Sequence, residues 1–346
     1  MFFTCLLKHA RPAAMPARPH ASAWLLGWLL ALSATAGQAD TQPDKGVYPL
    51  PSDGNMVGQA YSVEATQEQT LLDISREHNV GYEEIRNANP EVSLWVPGEG
   101  TEVKIPARHI LPPVPREGLV INLAELRLYY YPATREGETP RVETYPIGIG
   151  REGNDTPLGI TKTTIKLEDP AWYPPDSIRR EAAEQGKELP GVVPPGPENP
   201  LGEHAILLDI PGYLLHGTDK PDGIGMRVSH GCIRLYPEDI ETLFSDIPSG
   251  TTVNIVDIPT KIGRSGDQLY AQSFRSLSEQ EASLDDIIDS VDELDEFNQD
   301  HVSDIDYGLL RKVLESSNGQ IKEITSGASK ADSEGPTPQD RAGSDG

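Results

Sequence analysis

The chain has 346 residues, and 54 Asp plus Glu against 29 Lys plus Arg leave a formal net charge of −25. A surface field of that sign repels polyphosphates, which excludes bulk nucleic-acid binding. The length suits about two domains, and 37% hydrophobic residues suffice for packed cores beside a good deal of solvated chain.

Residues 1–39 carry Lys8, Arg11 and Arg18 with no acid, then an apolar run from Trp24 to Leu32, then the small residues around Ala36 and Ala39. Basic, apolar and small-residue regions in that order read as a secretory signal peptide, and the apolar run falls short of the about 20 residues of a membrane-spanning helix. Cleavage there removes Cys5, one of the two cysteines, and leaves Cys232 alone. In an exported protein, where thiols usually pair, a solitary cysteine is either a buried apolar residue or a reactive nucleophile.

Residues 40–56, rich in Pro, Gly and Asp, read as a linker. Over 57–106 the pattern is compact: a strand at 59–63, a helix at 71–77 opening after Thr70, a second helix at 82–88 stopped by Asn89-Pro90, and a closing strand at 101–106. This is a small α+β (βααβ) domain. A proline-rich connector follows at 107–116, and 117–260 is mainly β, with strand-like runs at 119–122, 124–131, 141–147, 161–165, 205–208 and 252–256 and one helix at 238–244. Within it, Gly148-Ile149-Gly150-Arg151-Glu152-Gly153 fits the dinucleotide fingerprint by letter. No helix is expected after it to hold a pyrophosphate, so it reads as a glycine-rich hairpin turn.

From 261 to 346 the composition shifts to an acidic, partly helical or disordered C-terminal tail. Glu281 to Asp306 contains eleven acids and no Lys or Arg, yet Leu284, Ile287, Ile288, Val291 and Leu294 recur at helical spacing behind a capping box of Ser278 and Glu281. The stretch is either a transient helix in a solvated tail or a docking helix for an unidentified envelope protein. The final twenty or so residues, rich in Ser, Gly, Asp and Pro, read as disordered.

The chemistry concentrates between His216 and Arg234. A thiol is only slightly ionised at neutral pH and becomes a competent nucleophile when an imidazole takes its proton. His230 precedes Cys232 by two residues, so a strand would set both on one face, and His216 lies one strand length plus a loop upstream. Gly231 lets the backbone approach closely, and the peptide N–H groups of His230, Gly231 and Cys232 are candidates for an oxyanion hole. Two rival readings are a buried structural cysteine and a zinc site of His216, His230, Cys232 and His204. Against zinc, the motif has no histidine pair at helical spacing and no acid to act on a metal-bound water, so neither a metal nor a cofactor is expected.

Two resemblances extend this reading. Tyr61-Ser62-Val63, Thr70-Leu71-Leu72-Asp73-Ile74, Ile85 with Asn89-Pro90, Pro97-Gly98 and Val103-Lys104-Ile105-Pro106 make 57–106 similar to a LysM module, which implies binding of peptidoglycan glycan strands; Glu68-Gln69-Thr70 replaces the module's usual Gly-Asp-Thr. His216, then Ser229-His230-Gly231-Cys232-Ile233-Arg234, with Thr156-Pro157-Leu158-Gly159, Trp172-Tyr173-Pro174-Pro175, Asn199-Pro200-Leu201-Gly202 and Thr251 to Ile255, resembles the YkuD-type L,D-transpeptidases of the bacterial envelope. That resemblance implies a YkuD-like β-sandwich at 117–260, a periplasmic location, and acyl transfer from a peptidoglycan stem tetrapeptide through a thioester on Cys232. It further implies His216 as general base with its other ring nitrogen held by the Gly217 carbonyl, His230 and Gly231 shaping the oxyanion region, and Ser229, Arg227 and Arg234 binding substrate. The acceptor stays open among a second stem peptide, the lysine of an envelope lipoprotein, and water, which would make the protein a carboxypeptidase or amidase. A non-catalytic wall-binding protein is the remaining alternative. The tail reading carries one further expectation, that truncation after Lys261 leaves the chemistry intact.

Overall fold

The structure, a computed structural model, describes residues 45–153, 155–275, 277 and 305–325. The expected signal peptide, the acidic helical stretch with its capping box and the final residues 326–346 lie outside the described residues. The chain begins with β1 (Val47–Pro49), β2 (Met56–Gly58), β3 (Tyr61–Glu64), α1 (Leu71–Glu77), α2 (Tyr82–Ala88), β4 (Glu102–Ile105) and β5 (Arg108–Ile110). It continues through β6 (Gly118–Asn122), β7 (Arg127–Tyr131), β8 (Arg141–Pro146), β9 (Ile149–Gly150), β10 (Gly159–Glu168), α3 (Asp176–Glu184), β11 (His204–Leu208) and β12 (Leu214–His216). A short 3-10 turn (Pro221–Gly223) then leads to β13 (Arg227–Ser229), β14 (Ile233–Arg234), α4 (Pro237–Asp246) and β15 (Thr252–Val256). Last come β16 (Thr260–Ser265), β17 (Gln268–Ser273), α5 (Tyr307–Ser316) and β18 (Lys322–Glu323).

A nine-stranded sheet in the order β1-β8-β7-β6-β15-β10-β11-β12-β14 forms the body. Side chains alternate across its strands: Leu119 and Ile121 of β6 enter the main core with Leu128, Tyr130, Val253, Ile255, Leu215 and Ile233, where Ile240 and Leu243 of α4 cover them. Val120 faces the other way, joining Tyr129, Tyr131 and Val142 beneath Val57 and Leu111. Burial on both faces accounts for the unbroken apolar runs of β6 and β7.

The βααβ unit has its own small core of Leu71, Ile74, Val80, Ile85, Val103 and Ile105. Thr70 caps α1 in a reciprocal box with Asp73. Asn89, legible in the sequence as a helix stop, also ties α2 to β4: its side chain donates to the carbonyls of Ile85 and Lys104 and accepts from the Lys104 N–H at 2.8 Å.

The stretches expected as linker and connector contribute strands instead. β1 pairs with β8 at the sheet edge, and β2 pairs with β5. The reason is that the βααβ unit is fastened to the nine-stranded sheet. The fully buried Arg127 donates to both Glu84 carboxylate oxygens, at 3.1 and 2.6 Å, and to the Asn79 carbonyl and the Thr144 hydroxyl. Tyr82 and Glu83 donate backbone N–H groups to Ile224 and Gly225. Gly225 has φ +82°, and a Cβ there would lie 2.2 Å from the Tyr82 nitrogen, so the two backbones meet without side chains between them.

The expected boundary at 260/261 falls inside β16. The β16–β17 hairpin pairs with β18 and packs α5 over a third core of Ile262, Leu269, Ala271, Leu310, Val313, Leu314 and Ile324. Lys261 is fully buried, and its ammonium donates to Glu125 Oε1 and to the Ile110 carbonyl, each at 2.6 Å. Residues 260–275 and 305–325 are therefore folded, because apolar side chains at alternate strand positions and one helix face give them a core that the overall acidity conceals. The expected hairpin turn at 148–153 is also corrected. β8 and β10 are separated in the sheet by β7, β6 and β15, so the connection crosses over and places β9 parallel to β13.

Candidate active site

Parallel pairing of β12 with β14 aligns Leu215 with Ile233 and His216 with Arg234. Leu215 and Ile233 point into the core, so by alternation His216 and Arg234 emerge on the opposite face, and Cys232, two residues before Arg234, emerges with them. Cys232 is partly exposed, and its Sγ lies 3.5 Å from the Gly212 carbonyl oxygen. The fifteen residues between His216 and Cys232 thus return the chain to the neighbouring strand.

His216 is 3% exposed, with Nδ1 2.7 Å from the Gly217 carbonyl oxygen. A carbonyl only accepts, so Nδ1 carries the hydrogen and Nε2 of the neutral ring keeps a lone pair. Burial, reinforced by the positive charge of Arg234, drives the His216 pKa down to about 4, against opposing hydrogen bonds to the backbone of Gly217 and Leu201. Burial also raises the Cys232 thiol, while a backbone hydrogen bond at Leu214 and the Arg234 charge pull it down. Both directions favour an uncharged thiol and an uncharged imidazole at neutral pH over a preformed ion pair.

The turn ahead of Cys232 is internally wired. Gly231 has φ +108°, a region that suits glycine. Its carbonyl accepts from the Thr156 hydroxyl at 2.9 Å, and its N–H donates to Ser229 Oγ at 3.1 Å. Ser229 in turn donates to the Cys232 carbonyl at 2.6 Å and is 1% exposed. Ser229 therefore braces the turn and is withdrawn from a substrate, and the Gly231 N–H is occupied in this arrangement.

Arg234 stands on the reactive face, half-buried, with Nε lacking a partner among the described residues. Arg227 is not brought to this face. It lines a separate cavity of about 1170 Å³ where the βααβ unit, the sheet and the C-terminal unit meet. His230 turns outward: its Nε2 is 2.9 Å from Glu181 Oε2 on α3 and 3.2 Å from Arg151 Nη2.

Residues 169–203 form a strap between β10 and β11. Its base is closed by the buried Asn199, whose amide donates to the Pro170 and Pro194 carbonyls and accepts from the Leu201 N–H. Just beyond, Gly202 passes so close to Gly217 and Thr218 that a Cβ would lie 3.1 Å from the Thr218 nitrogen. Sequence reasoning missed Glu181, Arg151 and the Leu201 carbonyl as neighbours of the two histidines. Only a pairing of opposite charges across the fold identifies the first two, and a backbone carbonyl leaves no signal in side-chain chemistry.

Residues 116–255 match the family model of the L,D-transpeptidase catalytic domain, YkuD. The chain is 46% identical to the probable L,D-transpeptidase YcfS of Escherichia coli K12 over 68% of this chain and 74% of that protein. It is 38% identical to the probable L,D-transpeptidase ErfK/SrfK of Salmonella typhimurium over 81% of this chain and 91% of the relative. Similarity to the probable L,D-transpeptidase YbiS of E. coli K12 is 42% over 69% and 78% of the two chains. With relatives this similar over most of their length, and with the His216–Cys232 pair on one sheet face inside the matched domain, the chain belongs to the L,D-transpeptidase family.

Proposed function

We propose that this L,D-transpeptidase acts on bacterial peptidoglycan in the periplasm through a thioester on Cys232. The observation that supports the reading best is the parallel β12–β14 pairing, which puts the Cys232 thiol on the same face as a neutral imidazole whose Nδ1 is tied to Gly217. The thiol sulfur attacks the carbonyl carbon between the L-centre of diaminopimelate and the terminal D-Ala of a stem tetrapeptide. Its proton passes to His216 Nε2 as the S–C bond forms, because neither partner is stable as a lone ion in this burial. Collapse breaks the C–N bond, His216 returns the proton to the leaving D-Ala amine, and the thioester remains. An acceptor amine then attacks the same carbon and gives its proton through His216 to the departing sulfur.

Arg234, half-buried on the face of Cys232, carries a charge suited to a substrate carboxylate. His230 and its surroundings shape the rim. The βααβ unit is read as a LysM-like holder of glycan strands, and 1–39 as the export signal. The acceptor amine belongs to a second stem peptide, giving a 3→3 cross-link, or to an envelope lipoprotein lysine. No cofactor or metal enters either step.

Incubation with a disaccharide tetrapeptide, followed by mass analysis, tests the proposal. The expected product is a dimer lacking one D-Ala. Cys232→Ala should form neither this dimer nor a covalent penem adduct, and a chelator should leave the wild type unaffected. A tripeptide monomer as sole product would convert the reading to a carboxypeptidase. Undiminished turnover by Cys232→Ala would overturn the thiol mechanism.

A further inference from the structure

Helix α3 meets the rim of the site beside His230 without a hydrophobic footing. Of its nine residues only Ala182 is buried. Asp176 pairs with Arg179 inside the helix, and Arg180 bonds back to the Asp176 carbonyl. Among the described residues, the side-chain hydrogen bonds and ion pairs joining α3 to the rest of the fold run through Glu181. Its Oε2 accepts from Arg151 Nη2 at 2.5 Å and from His230 Nε2 at 2.9 Å. The C-terminal end of the strap is fixed beside His216, where Leu201 and Gly202 meet Gly217 and Thr218. The strap, closed at its base by the Trp172–Val193 bridge and Asn199, thus touches the surroundings of the proposed base at Leu201 and Gly202, and through the Glu181 carboxylate the residue two positions before the proposed nucleophile.

We infer that Glu181 is a positioning residue that holds α3 against His230, beside the Cys232 thioester, and thereby favours transfer to an amine over loss to water. The inference deepens the transpeptidase reading and rests on it. The thioester carbon has two exits. Attack by an amine forms an amide and regenerates the Cys232 thiol, the amine's proton going to sulfur. Attack by water forms a carboxylic acid and regenerates the same thiol. An amine acceptor is large and must be aligned for attack, whereas water needs only access, so a strap released at Glu181 shifts the division towards hydrolysis. Neither Arg151 nor Glu181 is enclosed, with side-chain exposures of 42% and 30%, so the clasp is open to screening by salt.

The test measures the ratio of cross-linked dimer to hydrolysed tripeptide for the full chain, the Glu181→Gln and Glu181→Ala variants and Arg151→Ala, at low and high ionic strength. Both Glu181 variants should lower the ratio roughly three- to fivefold, the scale open to a partly exposed charge cluster, and Arg151→Ala should do so more weakly. Wild type should drift in the same direction as salt rises, while Glu181→Ala should be insensitive. A variant that merely lowers the fraction of correctly folded protein would lower both products together and leave the ratio unmoved. If wild type acylates and cross-links but both Glu181 variants keep its ratio at every salt concentration, the inference is overturned while the transpeptidase reading stands. A wild type that forms no Cys232 adduct would overturn that reading and this inference with it.

Discussion

At the scale of single residues, burial sets how the His216–Cys232 pair titrates, and the Arg234 charge adds to it for the imidazole and opposes it for the thiol. That charge depresses both groups, and the imidazole titrates at about 4. In the proposed mechanism acylation requires the neutral imidazole, so its acid limb should lie well below the ordinary histidine value of about 6.5. Removing the positive charge relieves part of the depression. Arg234→Met should therefore shift the acid limb of Cys232 acylation to higher pH, a displacement readable from penem adduct formation between pH ~4 and ~7; an unmoved limb would exclude electrostatic control by Arg234. The stability sign follows from the same depression. Below pH ~6.5 the unfolded chain takes up the His216 proton before the folded one does, so stability falls with pH until about 4, by about 3 kcal/mol in total. His216 and Cys232 were legible in the sequence because their side chains belong to the few that perform acyl transfer and sit in one short motif. Glu181 was not, since it meets His230 across 49 residues and looks like any solvated acid of a polar segment.

Among elements, the connection 221–226 matters most, since it touches α2 on one side and leads directly into β13 and the Ser229 turn on the other. Gly225→Ala places a Cβ against the Tyr82 backbone at a residue with φ +82°. Gly250 has a similar φ of +88° with open space around it, which makes Gly250→Ala the matched control. The control should cost about 1 kcal/mol through backbone strain alone, and Gly225→Ala at least about 2 kcal/mol more in thermal unfolding, together with reduced acylation. Equal losses would show that the backbone contact with α2 is dispensable. The same contrast between pattern and context governs which helices were readable. α4 carries Ile240 and Leu243 on one face, whereas α3 has little apolar signal because its position depends on charge. β1 and β5 are three residues long and sit in proline-rich stretches, so no period was available to distinguish them from linker.

For the whole molecule, the acid excess of residues 264–346 concealed a folded unit. Alternating Ile262, Leu269 and Ala271 are outvoted in any composition count by Glu281 to Asp306, and their partners on α5 lie some forty residues downstream. Truncation after Lys261, expected from the sequence to be harmless, should instead destabilise the protein. It ends β16 after its second residue and removes β17, α5 and β18, taking with them the core that surrounds Ile262. Thermal unfolding and Cys232 acylation of that product should both deteriorate, while truncation after residue 325 should alter neither.

Lys261 gives this arrangement a further meaning. One nitrogen reaches the Ile110 carbonyl, just after the βααβ unit, and Glu125 beside the catalytic sheet, while its own backbone belongs to the C-terminal hairpin. Opening any one of these regions strips the ammonium of a partner in a place water does not reach, and an uncompensated buried charge costs several kcal/mol. The described regions that meet at this ammonium should therefore unfold together, in one cooperative transition on heating, although the chain reads as a string of separate modules.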